Sequence, residues 1–360
     1  MRVLTLNPGS SSLKATLVEN GTAVGWANWE MADPAEDSWV VADAVHRWPK
    51  PDAVAVRFVH GGSRAEPAVV EADLLRALAR LIPLAPLHQP LSLAVARSVT
   101  ELLPEVPVVA CFDTSFHTEL PPAASHYALP REWTRQGRLR RYGFHGLSCQ
   151  YIARRTPELV AGASRILCCH LGAGVSVTAI RDGHSVDTSM GFTPLEGPAM
   201  ATRSGSVDPG LLLHVLKTAP MSAEDMEEAL YRRSGLAGMS GTSGDLRVVL
   251  AAAETGDHDS ELAIEVYLHG LRRAIGSMAT SLDHLDAVVF TGGVTDHQPE
   301  LIERLANGLS VLGVGPVRVG GAGDRVISAP GARVAAMIVR TREDLELARG
   351  AELALARVSA

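Results

Sequence analysis

An approximate internal repeat constrains this chain more than any other feature. Residues 2–6 form a short apolar run that reads as a buried strand. The small-residue loop Asn7-Pro8-Gly9-Ser10-Ser11-Ser12 follows. Leu13, Ala15 and Leu17 then alternate with Lys14 and Thr16, which puts the apolar side chains on one face. Asn20-Gly21 marks a two-residue hairpin, because both positions tolerate positive φ. Residues 22–29 return as a third strand. The same order begins again at residue 165. Ile166-Leu167-Cys168-Cys169 is a buried run, and Leu171-Gly172-Ala173-Gly174 is a Gly-rich loop. Val175, Val177 and Ala179 alternate with Ser176 and Thr178, Asp182-Gly183 makes the turn, and residues 184–189 return. Two copies of strand, loop, strand, turn, strand predict two structurally similar domains, each opening on a meander.

Helical patterns fill the rest. Residues 71–82 and 91–103 carry good helix formers at helical spacing. Residues 108–112 read as a strand that ends at Asp113. Asp208-Pro209 opens a helix through Leu216, with Asp as N-cap and Pro at the first turn. Residues 222–231 start on a capping-box pattern, Ser222 to Asp225. Residues 260–282 form a long amphipathic helix. A strand at 287–291 is followed by Gly292-Gly293 and by a helix from about Pro299, and 343–355 form a last helix. The class is mixed α/β.

Apolar residues make up 46% and charged residues 20%, which excludes disorder. The net charge of −7 argues against nucleic acid as a partner, so an anionic ligand must be held by a local group of cations. The four cysteines form no disulfide framework and no metal-ligand spacing, and they fit a reducing, cytoplasmic setting. No apolar run is long enough for a membrane span, and the apolar start is too short for a signal peptide.

Several loops place chemistry at strand ends. Residues 7–14 offer backbone N–H groups, hydroxyls and Lys14 to an anion, although the pattern is not a Walker A loop. His170 to Gly174 and Thr291-Gly292-Gly293 add two more Gly-rich loops, as a triphosphate site would need. Arg57-Phe58-Val59-His60-Gly61-Gly62 puts a cation after an apolar run. Asp113 follows the strand 108–112. Arg141-Tyr142-Gly143-Phe144-His145-Gly146 mixes aromatics, Gly and His. With Arg203, these segments make an anion site of two arginine forks, a histidine donor and one carboxylate.

The ordered series of motifs resembles the acetate kinase family, within the acetate and sugar kinase/Hsc70/actin superfamily. Its carriers run from residue 1 to about residue 355. They are Asn7-Pro8-Gly9-Ser10-Ser11-Ser12-Leu13-Lys14, the stretch 57–62, Ala85-Pro86-Leu87-His88, and the stretches 112–116 and 140–146. The longest is Val186-Asp187-Thr188-Ser189-Met190-Gly191-Phe192-Thr193-Pro194-Leu195-Glu196-Gly197, followed by Thr202-Arg203-Ser204-Gly205 and Phe290-Thr291-Gly292-Gly293. The resemblance implies two duplicated actin-like (ribonuclease H-like) domains with the active site in an interdomain cleft. The first would cover 1–115 plus 341–360. The second would cover 116–340, bind nucleotide and form a homodimer; the apolar face of the 260–282 helix fits either that interface or the core.

It further implies reversible phosphoryl transfer between ATP and a short carboxylate, giving an acyl phosphate and ADP. By resemblance, Asn7 and Glu343 help position Mg²⁺ (or Mn²⁺), and Lys14 lies near the ATP phosphates. Arg57 and Arg203 hold the carboxylate and the moving phosphoryl group, His145 stabilises the transition state, and Asp113 is the acid/base position. His88 and His170 match phosphate-side histidines. Val59, Leu87, Phe144 and Pro194 match the pocket for the acyl methyl. The nucleotide would use His170, Leu171, Gly172, Ala173 and Gly174, then Asp245, Leu246 and Arg247, then Gly292, Gly293, Val294, Thr295 and Asp296. A carboxylate nucleophile is already ionised near neutral pH, so Asp113 is expected to orient water, metal or Arg57 rather than remove a proton.

Departures from the family pattern gather around the nucleotide loops. Ala173 stands where the family has Asn, Thr295 where it has Gly, and Gln89 and Cys149 replace Asn and His. Two further readings therefore stand beside an acetate kinase. One is a propionate or butyrate kinase with the same chemistry. The other is a catalytically weak sensor of nucleotide or acyl phosphate. Cys149 is expected to be an ordinary buried thiol.

Overall fold

The computed structural model describes residues 1–9, 12–31, 38–137 and 139–358. Ser10 and Ser11 of the expected anion loop lie outside them. The described chain groups into two compact units. The first comprises Met1–Glu119, Tyr142–Tyr151 and Arg342–Ala360; the second comprises Leu120–Arg141 and Ile152–Thr341.

The first unit is built on a six-stranded sheet. Its strands are β1 (Arg2–Pro8), β2 (Ser12–Glu19), β3 (Thr22–Glu30), β4 (Ala53–Phe58), β5 (Ala68–Val69) and β6 (Val108–Phe112), in the spatial order β3-β2-β1-β4-β6-β5. β1, β2 and β3 form the expected antiparallel meander, and Asn20 (φ 48°) and Gly21 (φ 77°) close its first hairpin. β4 and β6 then add in parallel beside β1. Side chains alternate between the two faces. Leu4, Leu6, Val54, Val56 and Phe112 pack on one side with Val95, Ala96 and Val99 of the helix Gln89–Leu102. Val3, Ala53, Ala55, Val109 and Cys111 pack on the other with Leu347, Ala348 and Ala351 of the helix Glu343–Val358. Helices on both faces explain why these strands read as continuous apolar runs rather than alternating ones.

The second unit repeats the plan. Its strands are β7 (Arg165–Leu171), β8 (Val175–Arg181), β9 (His184–Thr188), β10 (Ala287–Thr291), β11 (Arg325–Val326) and β12 (Ala335–Ile338), in the order β11-β12-β10-β7-β8-β9. Read from the β9 edge, order and direction match the first sheet strand for strand: an antiparallel meander, two parallel additions and an antiparallel edge. Asp182 (φ 52°) and Gly183 (φ 83°) occupy the same turn as Asn20 and Gly21. The helix His258–Ala279 buries Ile264, Tyr267, Leu268 and Leu271 and lies on β7 and β8. Its apolar face is core, which settles the choice left open above. This is the duplicated actin-like α/β architecture.

The helix starts follow their signals. Asp208 accepts from Gly210 N, and Ser222 and Asp225 form a reciprocal capping box. Among the described residues seven helices were not legible: Ser38–His46, Pro122–Ser125, Arg131–Gly137, Gly146–Leu159, Gly235–Ser240, Leu246–Glu254 and the short Gly293–His297. Three of them begin at a glycine inside a segment that reads as loop. The segment Tyr142–Tyr151 belongs with the first unit rather than the second for physical reasons. Leu147 packs in the core with Val3, Val109 and Leu347, and His117 Nε2 lies 3.0 Å from Phe144 O.

Candidate active site

The strand ends of the first sheet carry a polar chain. β1 ends beside Asn7, β4 beside Arg57, and β6 is followed by Asp113. Arg57 donates to Asp113 through Nε (3.1 and 3.2 Å) and Nη2 (2.6 Å), a forked ion pair. Its Nη1 donates to Asn7 Oδ1 at 3.0 Å, and Asn7 Nδ2 donates to Glu343 Oε2 at 2.6 Å. The His145 backbone N–H donates to the Asp113 carboxylate. Asn7, Arg57, Asp113, Glu343 and the His145 backbone are therefore one connected group from five separated stretches of sequence.

The electrostatics follow from burial. Burial alone would weaken the Arg57 charge, but Asp113 and Glu343 outweigh it and hold the guanidinium above its ordinary value. Burial pushes the Asp113 carboxyl up to about 6, against the pull of Arg57. Both Asp113 oxygens are engaged by Arg57, so its carboxylate orients the arginine. His145 sits at φ 55°, a left-handed conformation that a non-glycine residue holds only when its surroundings fix it.

Around this chain, Val59 and Phe144 are buried, and Leu87 and His88 are half-buried just before the helix Gln89–Leu102. Lys14 stands opposite Asn7 in the β1–β2 register and is exposed. Gln89, one of the departures, has a structural task. It is fully buried, accepts from His60 N (3.2 Å) and donates to His60 O (2.9 Å), so it clamps the backbone that follows Val59. His60 itself, unremarked in the sequence, is buried against the rings of Tyr142 and Phe144 at 4.6 and 5.6 Å. Burial lowers its pKa to about 4, so it is neutral.

In the second unit, Arg203 is 8% exposed and donates from Nη1 to Pro194 O at 3.0 Å. No carboxylate pairs with it among the described residues, and burial lowers its proton affinity. A buried cation held by a carbonyl and a thioether sulfur, with no carboxylate among the described residues, is costly unless an anion joins it. Pro194 is buried in the same loop.

A cavity of about 390 Å³ opens beside the Gly-rich loops of this unit. Of the residues expected there, Gly172, Ala173, Asp245, Leu246, Arg247, Gly293 and Val294 line it. His170, Leu171, Gly174, Gly292, Thr295 and Asp296 are not in its wall. Thr295 is buried and donates to Gly292 O at 2.7 Å, which secures the short helix Gly293–His297 without positive φ. Asp296 pairs with Arg340 at 3.5 Å. Asp245 caps the helix Leu246–Glu254, and Arg247 folds back onto it. Six further lining residues were missed: Ala201, Leu236, Gly244, Tyr267, His297 and Gln298. Gly244, His297 and Gln298 adjoin predicted positions. Leu236 and Tyr267 come from distant helices and carry no local signal. The departure Ala173 is part of the wall and exposed, so it presents a methyl group rather than an amide.

Glu343 offers a hard carboxylate oxygen, the kind that Mg²⁺ takes, whereas the Asn7 oxygen accepts from Arg57 Nη1 and its amide N–H donates to Glu343 Oε2. No group of three or more His, Cys, Asp or Glu among the described residues is placed to hold a metal. A divalent cation at Glu343 would take its remaining ligands from phosphate oxygens and water. Cys149 is a buried free thiol, as are Cys111, Cys168 and Cys169. Among the described residues, no helix is long and apolar enough to cross a membrane.

Comparison with known proteins identifies the family. The model of the acetokinase family matches residues 42–349. An acetate kinase of Synechococcus sp. is 46% identical over 302 residues, covering 82% of this chain and 74% of that protein. An acetate kinase of Streptomyces coelicolor is 41% identical over 308 residues, covering 83% and 75%. Among solved structures, Porphyromonas gingivalis acetate kinase superposes with a TM-score of 0.85 at 30% identity, covering 98% of this chain and 99% of that one. A propionate kinase from Francisella tularensis gives 0.85 and 30%, covering 97% and 98%. Motif order, duplicated sheets and relatives agree, and the chain belongs to the acetokinase family.

Proposed function

We propose that this chain is an acetate kinase, which transfers the γ-phosphoryl group of ATP to acetate and back. One acetate oxygen forms the new bond to phosphorus. The bond from phosphorus to the bridging oxygen of ADP breaks, and its electron pair leaves with ADP. The acid is ionised near neutral pH, so no proton has to be removed from it. Such a reaction needs position and charge neutralisation more than covalent help.

The observation that carries this reading is the pair of arginines at chain positions 57 and 203, the first half-buried and the second buried. Arg57, fixed by Asp113 and Asn7, is assigned to the carboxylate. Arg203, without a carboxylate partner among the described residues, is assigned to the transferring phosphoryl group. His145 donates to the charge that develops in the transition state. Val59, Leu87, Phe144 and Pro194 take the methyl group. Lys14, His88 and His170 serve the phosphates, and the 390 Å³ cavity takes the nucleoside. Asn7 and Glu343 hold the divalent cation, Mg²⁺ or, in its place, Mn²⁺. Bound with the nucleotide, it neutralises phosphate charge.

Propionate is a second substrate of the same site. The equal likeness to a propionate kinase structure favours it, and one methylene is worth only ~1–3 kcal/mol of discrimination. The family relation and the reduced, buried cysteines fit a cytoplasmic enzyme. A homodimer through the second unit is supported by the helix Pro209–Thr218, which buries none of its residues although five are Leu or Val.

The test is a hydroxamate assay with Mg²⁺–ATP and acetate, propionate and butyrate in parallel. Acyl phosphate from acetate, lost in Arg203→Ala, is expected. No product from any acid with folded wild-type protein would sink the reading and leave the sensor alternative.

A further inference from the structure

We propose that Tyr127, Arg141 and Glu196 are positioning residues that aim Arg203 and set the wall of the acyl pocket. The inference rests on the phosphotransferase reading above, and all of its contacts lie within the second unit.

The three side chains form a closed polar triangle. Tyr127 donates its hydroxyl to Glu196 Oε2 and accepts from Phe192 N at 2.9 Å. Arg141 Nη2 donates to Glu196 Oε1 at 2.8 Å, and its guanidinium lies 5.4 Å from the Tyr127 ring centroid. Arg141 is in turn tied to the backbone, through Nη1 to Ser189 O and Nε to Ala124 O, each at 3.3 Å. Apart from the tie to Ala124, these contacts converge on residues 189–196. Gly191 is enclosed by the triangle. A Cβ there would lie 1.7 Å from Glu196 Oε2 and 2.1 Å from Tyr127 Oη, so only glycine allows the loop to pass.

The loop so fixed has one outward consequence. Its Pro194 carbonyl accepts from Arg203 Nη1, which also lies 3.7 Å from Met200 Sδ. Among the described residues no carboxylate fork sets the direction of Arg203 as Asp113 does for Arg57, so a carbonyl held by the triangle does so. Pro194 is also the residue assigned to the acyl methyl. One scaffold thus governs both the aim of the cation and the size of the pocket. A displacement of a cation by even ~1 Å is expected to cost about 100-fold in rate.

The experiment is steady-state kinetics on Tyr127→Phe and Glu196→Gln beside wild type, with acetate and with propionate. Tyr127→Phe keeps the ring and removes the hydroxyl, and Glu196→Gln keeps the volume and removes the charge. Both variants are expected to lose about 10- to 100-fold in kcat/KM for acetate. The KM for ATP should stay within about twofold, and the preference for acetate over propionate should narrow. A structural role alone would lower the thermal midpoint and scale the apparent kcat with the folded fraction while leaving KM and the substrate preference unchanged, which overturns the proposal. So would variants with unchanged kcat/KM and unchanged preference. If Tyr127→Phe does not fold, Glu196→Gln decides by the same readouts. A wild-type chain without activity overturns the phosphotransferase reading itself, whereas an active wild type with indifferent variants overturns only the positioning.

Discussion

Arg57 and Arg203 are the same residue type, the first half-buried and the second buried, yet they are held by opposite chemistry. Arg57 spends most of its donors on Asp113 and Asn7, so its charge is partly neutralised and its plane is fixed. Arg203 keeps its charge and is held by a carbonyl. Both arginines were legible as candidates because a cation next to an apolar run or a Gly-rich loop needs a reason. Which acid pairs with which arginine was not legible, because Asp113 and Glu343 reach Arg57 only through sheet order and the C-terminal helix. The fork makes a prediction for Asp113→Asn. Loss of the ionic partner should lower kcat/KM for acetate about 10- to 100-fold at saturating Mg²⁺. The pH profile adds a second readout. The Asp113 carboxyl is pushed up to about 6 by burial, so acid protonates it and breaks the fork as pH falls through that value. Wild type should show an acid limb near pH 6 that Asp113→Asn lacks. Unchanged turnover in the variant would show that the charge is not needed.

At the scale of elements, local signals were most reliable where they concern caps and turns. Ser222-to-Asp225 and Asn20-Gly21 act within a few residues, so no tertiary context overrules them. The helix Pro209–Thr218 shows the opposite case. Asp208 and Pro209 start it as expected, but its leucines find no core: Leu211, Leu213 and Leu216 are exposed. Contiguous apolar surface of this kind marks an interaction face. Conversely, the apolar stripe of His258–Ala279, which fitted an interface equally well, is buried on the sheet. A second copy covering Pro209–Thr218 predicts a solution mass of twice 38.1 kDa by light scattering. Leu213→Glu should shift that mass toward the single chain. A wild-type mass of one chain at tens of micromolar would exclude the dimer.

For the whole molecule, two buried histidines make stability depend on pH. Burial lowers His60 and His117 from 6.5 to about 4. The unfolded chain therefore binds more protons between those values, and their contribution is full above pH 6.5 and lost as pH falls toward 4. Asp113 has the opposite sign: raised from 3.8 to about 6, it gives up a proton on unfolding in that window and offsets one histidine. The net slope is about one proton, ~1.4 kcal/mol per pH unit. Urea unfolding between pH 7 and 4.5 should show it, and Asp113→Asn should steepen it to about two protons. Stability that stays flat across this range would contradict the burial of these groups. The sequence by itself determined the doubled meander, its turns, the capped helices and the set of reactive residue types, because each is written in period, composition or adjacency. Only the tertiary structure decided that residues 142–151 join the first unit, that Gln89 clamps His60, and that Tyr127, Arg141 and Glu196 meet. Those outcomes depend on contacts between stretches as much as 200 residues apart, such as Leu147 with Leu347, and the pairing of distant surfaces is set by packing volume rather than by any local pattern.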